Sequence, residues 1–232
     1  MIENLFSMAG KVCVVTGGSS GLGSYMAQGF LEAGAARVYI TARSEDKLKA
    51  KAAELSGIAD GECIPLPGDL STIDGIKSLA GVLQEKEDHI DVLVNNAGTA
   101  ATLEPIPFED LDAMTEERWQ SIMHTNVIGP FRCSRRAAGA LKESKGCIVN
   151  TASIAGIGNA GSSIAYSNSK AAIISQTRCL ARALAPDIRV NAVAPGLTRT
   201  AWTDPWEQGS KQLSIEASLL KRMVEPEDIA QG

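Results

Sequence analysis

Six short apolar runs rich in β-branched residues recur along the chain, and the segments between them are helical in period. The runs are "KVCVVTG" (11–17), "ARVYITA" (36–42), "ECIPLPG" (62–68), "DVLVNNAG" (91–98), "GCIVNTAS" (146–153) and "IRVNAVAP" (188–195). In the intervening stretches, such as "EDKLKAKAAELSG" and "SSIAYSNSKAAIISQTRCLARALA", apolar residues return every three or four positions, as a helix covering a sheet requires. Strands alternating with helices build βαβ units and a parallel sheet. Right-handed crossovers then place helices on both faces, so an α/β, doubly wound fold is expected. No linker, repeat or low-complexity tract divides the 232 residues, so one domain spanning 1–232 is expected. On such sheets ligands collect beyond the carboxyl ends of the strands, which makes the strand ends the place to look for chemistry.

Composition excludes several function classes. A net charge of −5 offers no broad basic surface to a nucleic-acid backbone, and no apolar run approaches the roughly 20 residues of a membrane helix. No nucleic-acid and no membrane partner is expected. The start, "MIENLFSMAGKVCVVTGG", lacks a basic segment followed by an apolar one and a small-residue cleavage site, which points to the cytoplasm. Five widely spaced cysteines (Cys13, Cys63, Cys133, Cys147, Cys179) with only His89 and His124 to help them read as buried free thiols, and no metal site is expected.

"TGGSSGLG" (16–23) follows the first strand and opens the first helix. Glycines 17, 21 and 23 allow a tight turn and a close approach to a pyrophosphate resting on the helix N-terminus, although a bare strand-to-helix turn uses the same residues. The second strand ends in Ala42 where an NAD site usually holds an acid, and Arg43 follows. Its planar fork suits a 2′-phosphate, though a solvated loop arginine is the plainer reading. Asp69 closes the third strand, placed to accept a bond from adenine or to start a turn. In "NNAG", Asn95, Asn96, Ala97 and Gly98 leave little bulk at the end of the fourth strand, so cofactor can approach and amides can tie neighbouring strands together.

Tyr166 and Lys170 in "AYSNSK" share one helical face. An ammonium ~5 Å from the phenol, at an effective dielectric of ~20, would lower the phenol pKa by roughly 2 units from its usual value near 10. Tyr166 thereby becomes a proton donor and acceptor near neutral pH; the plainer reading is a surface tyrosine packed on a lysine stem. Ser153 ends the fifth strand, beside the first turns of the next helix, where a hydroxyl can bond an oxygen whose charge changes during reaction. Asn126, in the middle of a helical stretch, is expected to distort it and to hold a water.

Taken together, the glycine turn, "NNAG", Asn126, Ser153, Tyr166-x-x-x-Lys170 and the "PG" at 195–196 occur in the order and spacing of the short-chain dehydrogenase/reductase family, which the chain resembles from about residue 10 to its end. The resemblance implies a Rossmann-like fold and the catalytic set Asn126, Ser153, Tyr166 and Lys170. Tyr166 would protonate the substrate oxygen, Ser153 orient it, Lys170 hold the nicotinamide ribose and lower the phenol pKa, and Asn126 support a water-linked proton path. It also implies cofactor contacts from Gly17, Ser19, Ser20, Gly21, Leu22, Gly23, Arg43, Asp69, Leu70, Asn95, Ala97, Gly98, Tyr166, Lys170, Pro195, Gly196 and Thr198. Arg43 after a non-acidic residue is similar to NADP-preferring members, so NADP(H) is expected over NAD(H). Ser20 departs from that pattern, since many such relatives carry a basic residue there.

The amino-terminal half looks most like bacterial 3-oxoacyl reductases, including the kind linked to rhamnolipid synthesis. An NADPH-dependent reductase of a ketone or 3-oxoacyl thioester, reversible as an alcohol dehydrogenase, is therefore expected. The alternatives are an NADP-binding regulatory protein without turnover and an epimerase or dehydratase without net redox. Residues 197–217 mix Trp202, Trp206, Leu213 and Ile215 with polar residues, as a flexible cover over an apolar substrate would, or as a packed surface helix. Arg132, Arg135 and Arg136 lie on the long helix that usually joins subunits in the family, so a homodimer or homotetramer is expected, with an acidic acyl carrier as the other use for that face. "EPEDIAQG" starts a helix and stops, and the family's usual seventh strand is absent after Gly232, so the chain reads as cut short.

Overall fold

The computed structural model describes residues 6–158 and 161–231; the first five residues of the segment read above for a leader lie outside that range. Six strands, β1 (Val12–Thr16), β2 (Arg37–Ala42), β3 (Glu62–Pro67), β4 (Val92–Asn95), β5 (Cys147–Thr151) and β6 (Arg189–Val193), form one sheet in the order β3-β2-β1-β4-β5-β6. Every neighbouring pair is parallel. The chain reverses its direction of travel across the sheet between β1 and β4, and a crevice opens at that point beyond the strand ends.

The side-chain alternation of β1 shows why both faces are covered. Val12 and Val14 join Tyr39, Leu93 and Ile148 on one face, beneath α3 (Ile73–Lys86), α5 (Gly129–Glu143) and α7 (Ile164–Leu184). Cys13 and Val15 join Val38, Ile40 and Val94 on the other, beneath α1 (Gly21–Glu32) and α2 (Glu45–Ser56). The helices meet the sheet through Ile76, Leu79, Leu141 and Leu180 on the first face and Met26, Leu31, Leu48 and Leu55 on the second. Each such burial is worth about 1.5–3 kcal/mol, so the two clusters dominate the stability of the layers.

Three helices begin on hydroxyl caps: Thr72 accepts from the Gly75 N–H, Thr115 from Arg118 at the start of α4 (Glu116–Met123), and Ser163 from Tyr166 at the start of α7. Residues 115–144, which have one helical period, fold instead as α4, a π-helical turn at His124–Ile128 and then α5. Two short helices, α6 (Ala155–Gly158) and α9 (Pro226–Ala230), and one longer one, α8 (Gln208–Ala217), complete the set. The "EPEDIA" start does form a helix. Asp228 accepts the Glu225 N–H at 2.9 Å, and Ile229 and Ala230 pack against the core beside α1.

Two expectations are corrected here. The cover at 197–217 is not a loop throughout: its second half is α8, and α8 buries none of its side chains. The thiols are all free, but only Cys13 and Cys63 are buried; Cys179 is exposed on the outer side of α7, because an amphipathic helix places it opposite the face that meets the sheet. No described helix is long and apolar enough to cross a membrane.

Candidate active site

A cleft of about 1430 Å³ lies beyond the carboxyl ends of β1, β4 and β5. Small-molecule pockets typically span roughly 300–1,000 Å³, so this one has room for a large ligand and a second, smaller one. Its floor is stitched by Thr16, the last residue of β1. The Thr16 hydroxyl donates to the Val94 carbonyl (3.2 Å) and accepts from the N–H groups of Asn96 (2.9 Å) and Ala97 (3.0 Å). Asn96 returns its amide to the Thr16 carbonyl (3.1 Å) and accepts from Thr151 at the end of β5 (3.4 Å). Three strand ends are thereby locked together around the crevice.

The glycine turn fits a dinucleotide diphosphate on its own geometry. Gly17 has φ +70, a left-handed backbone, and a Cβ on Gly23 would lie 2.3 Å from the Gly17 carbonyl oxygen, so the turn can close against α1 only without side chains. Ser20 begins α1 in extended backbone and its hydroxyl makes no cap bond. The N–H groups of the first turn are therefore free of a side-chain acceptor where they border the cleft, which suits an anion. Ser19, Ser20, Gly21 and Leu22 line the cleft there, while Gly23 serves close packing behind it.

Further along, Arg43 follows β2, is exposed, and forms no ion pair among the described residues. Asp69 takes both of its expected roles in part: it lines the cleft beside Leu70, and one carboxylate oxygen accepts from the Ser71 N–H (2.9 Å) and hydroxyl (2.8 Å). Pro195, Gly196 and Thr198 line the cleft beyond β6, and the Thr198 hydroxyl donates to the Gly196 carbonyl (3.1 Å).

Tyr166, Lys170 and Ser153 come together at the centre. The Ser163 cap fixes Tyr166 in the first turn of α7, facing the cleft, and the Lys170 ammonium sits 5.6 Å from the Tyr166 ring centroid. Lys170 is buried and donates to the Thr151 carbonyl (2.7 Å). Ser153 receives the Ala155 N–H (3.1 Å) and lies close enough to the phenol to draw its pKa down in part. Asn126 stands behind them, buried in the π turn. It accepts the Thr99 N–H (2.8 Å) and donates to the Thr99 carbonyl (3.0 Å) and to Ser169 (3.0 Å), whose hydroxyl donates to the Tyr166 carbonyl (2.7 Å). The expected distortion of the helix is thus present, and its cause is this side chain reaching out of the helix to a neighbouring loop. Asn126→Ala leaves three polar groups without their partner, the buried Ser169 hydroxyl and the half-buried Thr99 N–H and carbonyl; a loss of about 2–3 kcal/mol is expected, read as a melting temperature lower by about 5–10 °C. An unchanged melting temperature would contradict that role.

The protonation states differ from the sequence expectation. Burial pushes the Tyr166 phenol up to about 12, outweighing Ser153, and burial brings Lys170 down to about 8. The expected lowering of the phenol by Lys170 is absent because both groups are withdrawn from water together, and the ammonium's own hydrogen bond goes to Thr151. In the chain without nucleotide, Tyr166 is therefore fully protonated at neutral pH.

Asn95 is not at the cleft. It is buried, and its amide donates to Asn150 (2.9 Å) and Ser134 (3.1 Å), so it ties β4 to β5 and α5, the strand-tying role rather than a cofactor contact. The sequence reading passed over Thr16, Thr151, Ser163 and Ser169. Hydroxyl residues closing strands next to "GG" and "AS", and a serine three residues before Tyr166, were the available signals.

A parallel sheet with a glycine-lined crevice at its switch point, and a tyrosine, lysine and serine facing that crevice, define a nucleotide-dependent oxidoreductase site. The chain belongs to the short-chain dehydrogenase family, whose pattern it matches over residues 11–211, and it is an oxidoreductase acting on an alcohol or carbonyl group. It is 38% identical to the rhamnolipids biosynthesis 3-oxoacyl-[acyl-carrier-protein] reductase of Pseudomonas aeruginosa, over 97% of this chain and 88% of the relative. It is 34% identical to the 3-oxoacyl-[acyl-carrier-protein] reductase FabG of Thermotoga maritima, over 97% and 89%. Among solved structures, the Pseudomonas aeruginosa RhlG/NADP active-site complex superposes with a TM-score of 0.87 at 35% identity, covering 97% of this chain and 88% of that one. The L-sorbose reductase of Gluconobacter frateurii, complexed with NADPH and L-sorbose, gives 0.86 at 27% identity over 97% and 89%.

Proposed function

We propose that the protein is an NADPH-dependent reductase of a ketone or 3-oxoacyl thioester, reversible as an alcohol dehydrogenase. The observation that carries this reading is the Tyr166 phenol facing the cleft, with Ser153 beside it and the Lys170 ammonium 5.6 Å from its ring. Bound nicotinamide supplies the hydride that no side chain can. The chain's own residues do the rest. Ser153 and Tyr166 hold the substrate oxygen, and as charge builds there Tyr166 gives up its proton through a bond already aimed at that oxygen. In this reading Lys170 holds the ribose and stabilises the phenolate left behind, which its nearness to the Tyr166 ring supports, and Asn126 acts through Ser169 and Thr99 to hold the start of α7 in position.

NADP is preferred over NAD in this reading because Arg43 is an unpaired cation at the end of β2 with no acid beside it. Arg43→Ala removes a charge-assisted bond of about 1.5–3 kcal/mol, so the KM for NADPH is expected to rise about 10–100-fold with the KM for NADH little changed. Equal effects on both would count against the preference. The named activities of the 3-oxoacyl relatives support the thioester as a substrate; a cytoplasmic location and a homodimer or homotetramer belong to the same proposal. Mixing the protein with NADPH and a short 3-oxoacyl thioester should consume one NADPH for each hydroxy product formed. Tight binding without consumption, or conversion without net NADPH loss, would replace this reading with the regulatory or the epimerase and dehydratase alternatives.

A further inference from the structure

The two tryptophans at 202 and 206 stand in a segment that the core does not hold. Helix α8 buries no side chain, yet Trp202 meets Tyr166 edge to face, with ring centroids 6.1 Å apart and planes at 71°. Trp202 lines the cleft and still keeps 39% of its surface exposed, so its large ring borders the space next to the phenol rather than packing the core. The face that α8 turns to the cleft differs in kind. Ser210, Leu213, Ser214 and Ala217, spaced as one helical stripe, line it together with Ile215, while Gln212 and Glu216 bond each other on the outside (2.9 Å). Ser210, Ser214 and Ala217 are small, so room is left beside the two apolar side chains, and Leu213 keeps 70% of its surface exposed to what lies there.

Charge in the cleft is distributed just as unevenly. Arg43 and Asp69 border its nucleotide end, Lys170 is engaged with Thr151, and Arg222, the one cation near α8 among the described lining residues, is held by Asp228 at 2.6 and 3.1 Å. The end beneath Trp202 and α8 presents hydroxyls and apolar groups, including Ile154 opposite, with no unpaired charge. An anionic arm lying there would lose its hydration without a partner.

We propose that Trp202 is the specificity-determining residue of the cleft: its indole closes one side of the space beside Tyr166, so the reacting carbonyl carries one slim substituent there and sends a larger, uncharged arm along the inner stripe of α8. This rests on the reading of the protein as a carbonyl reductase. It adds to that reading a rule of shape, slim on one side and long on the other, and a rule of charge. One substituent too large for the wall meets a rigid bicyclic ring that already packs on the phenol, and size discrimination at such a wall runs at about 10–200-fold per methylene-sized change.

The test uses the full chain with NADPH and three ketones: 2-nonanone, with a methyl on one side; 5-nonanone, of the same composition with two butyl arms; and 8-oxononanoate, a methyl ketone whose arm ends in a carboxylate. For the unaltered protein, kcat/KM is expected to be at least about tenfold higher on 2-nonanone than on either other ketone. In Trp202→Ala the ratio of 5-nonanone to 2-nonanone is expected to rise at least about tenfold, with Trp202→Phe between. Melting temperature and NADPH binding, measured on each variant, identify one that has failed to fold, and Trp202→Phe then carries the comparison. A ratio that does not move, or a loss shared equally by both ketones, overturns the role of Trp202 while leaving the reductase reading intact. Equal rates on 8-oxononanoate and 2-nonanone in the unaltered protein overturn the rule of charge. NADPH binding with no consumption on any ketone or thioester removes the reductase reading itself, and the inference with it.

Discussion

Tyr166→Phe is expected to lower the rate of carbonyl reduction by about 10²–10⁴-fold while leaving NADPH bound with nearly unchanged affinity. The substitution removes one oxygen and keeps the ring, so the edge contact with Trp202 and the packing at the start of α7 persist. What is lost is the hydroxyl on the ring that stands 5.6 Å from the buried ammonium. Ser153 remains able to orient a carbonyl, but its hydroxyl is tied to the Ala155 N–H and has no cation behind it to receive a developing negative charge. The kinetic signature is a fall in kcat with little change in KM for either ligand, which marks an interaction made during reaction rather than on binding. Retention of more than about a tenth of the rate would show that the proton comes from elsewhere.

The second large effect separates activity from stability. Lys170→Met is expected to cost a similar factor in rate, yet to leave the nucleotide-free fold no less stable at pH 7. The fall of the Lys170 pKa from 10.5 to about 8 corresponds to about 3 kcal/mol of cost for burying its charge. Loss of its bond to the Thr151 carbonyl offsets part of the gain from removing that charge. The sign with pH follows from proton counting. Below pH 8 both folded and unfolded chains hold the proton, and the cost is complete. Between about 8 and 10.5 the folded chain has released it and the unfolded chain has not, so stability rises with pH. Above pH 10 the phenol works in the opposite sense, because the unfolded chain sheds the Tyr166 proton first and the folded chain holds it up to about 12. Burial also raises the thiols of Cys13, Cys63, Cys133 and Cys147, which lowers stability above about pH 9 in both proteins, so the effect is a difference: in denaturant unfolding between pH 7 and 10 the unaltered protein should gain stability relative to Lys170→Met. Parallel profiles for the two would mean that folding does not lower the Lys170 pKa in the nucleotide-free interior.

Much of this was legible in the sequence because the informative residues sit at the ends of regular elements. The six apolar runs marked the six strands to within three residues at either end, since a strand buried on both faces must be largely apolar, as Val12–Val15 of β1 are. The glycine turn, Ser153 and the Tyr166–Lys170 pair were legible for a related reason: each requires a residue type that few other positions tolerate. What the sequence hid depends on contacts between distant segments. The π turn at 124–128 exists because Asn126 bonds Thr99, a residue 27 positions away, and helical periodicity is blind to that. The protonation of Tyr166 was misread because spacing gives the distance to an ammonium and says nothing of how much water surrounds the pair. Asn95 and Asn96 look alike in "NNAG", yet adjacent strand residues point to opposite sides; only the pairing of β4 with β5 shows which one enters the interior. Helix α8 was ambiguous for a further reason: it borders a cleft instead of a core, so the face it turns there mixes Ser210, Ser214 and Ala217 with Leu213 and Ile215 where an ordinary helix would be apolar throughout.

The central claim is that this cleft passes hydride to a carbonyl carbon while the protein supplies the proton. Its most direct test supplies NADPH carrying deuterium on the transferable position of the nicotinamide, together with a short 3-oxoacyl thioester, and follows the product by mass and NMR. One deuterium at the carbinol carbon of every hydroxy product, with transfer nearly abolished in Tyr166→Phe, is the predicted result. Product without label, or NADPH bound stably with its label intact, would contradict the account.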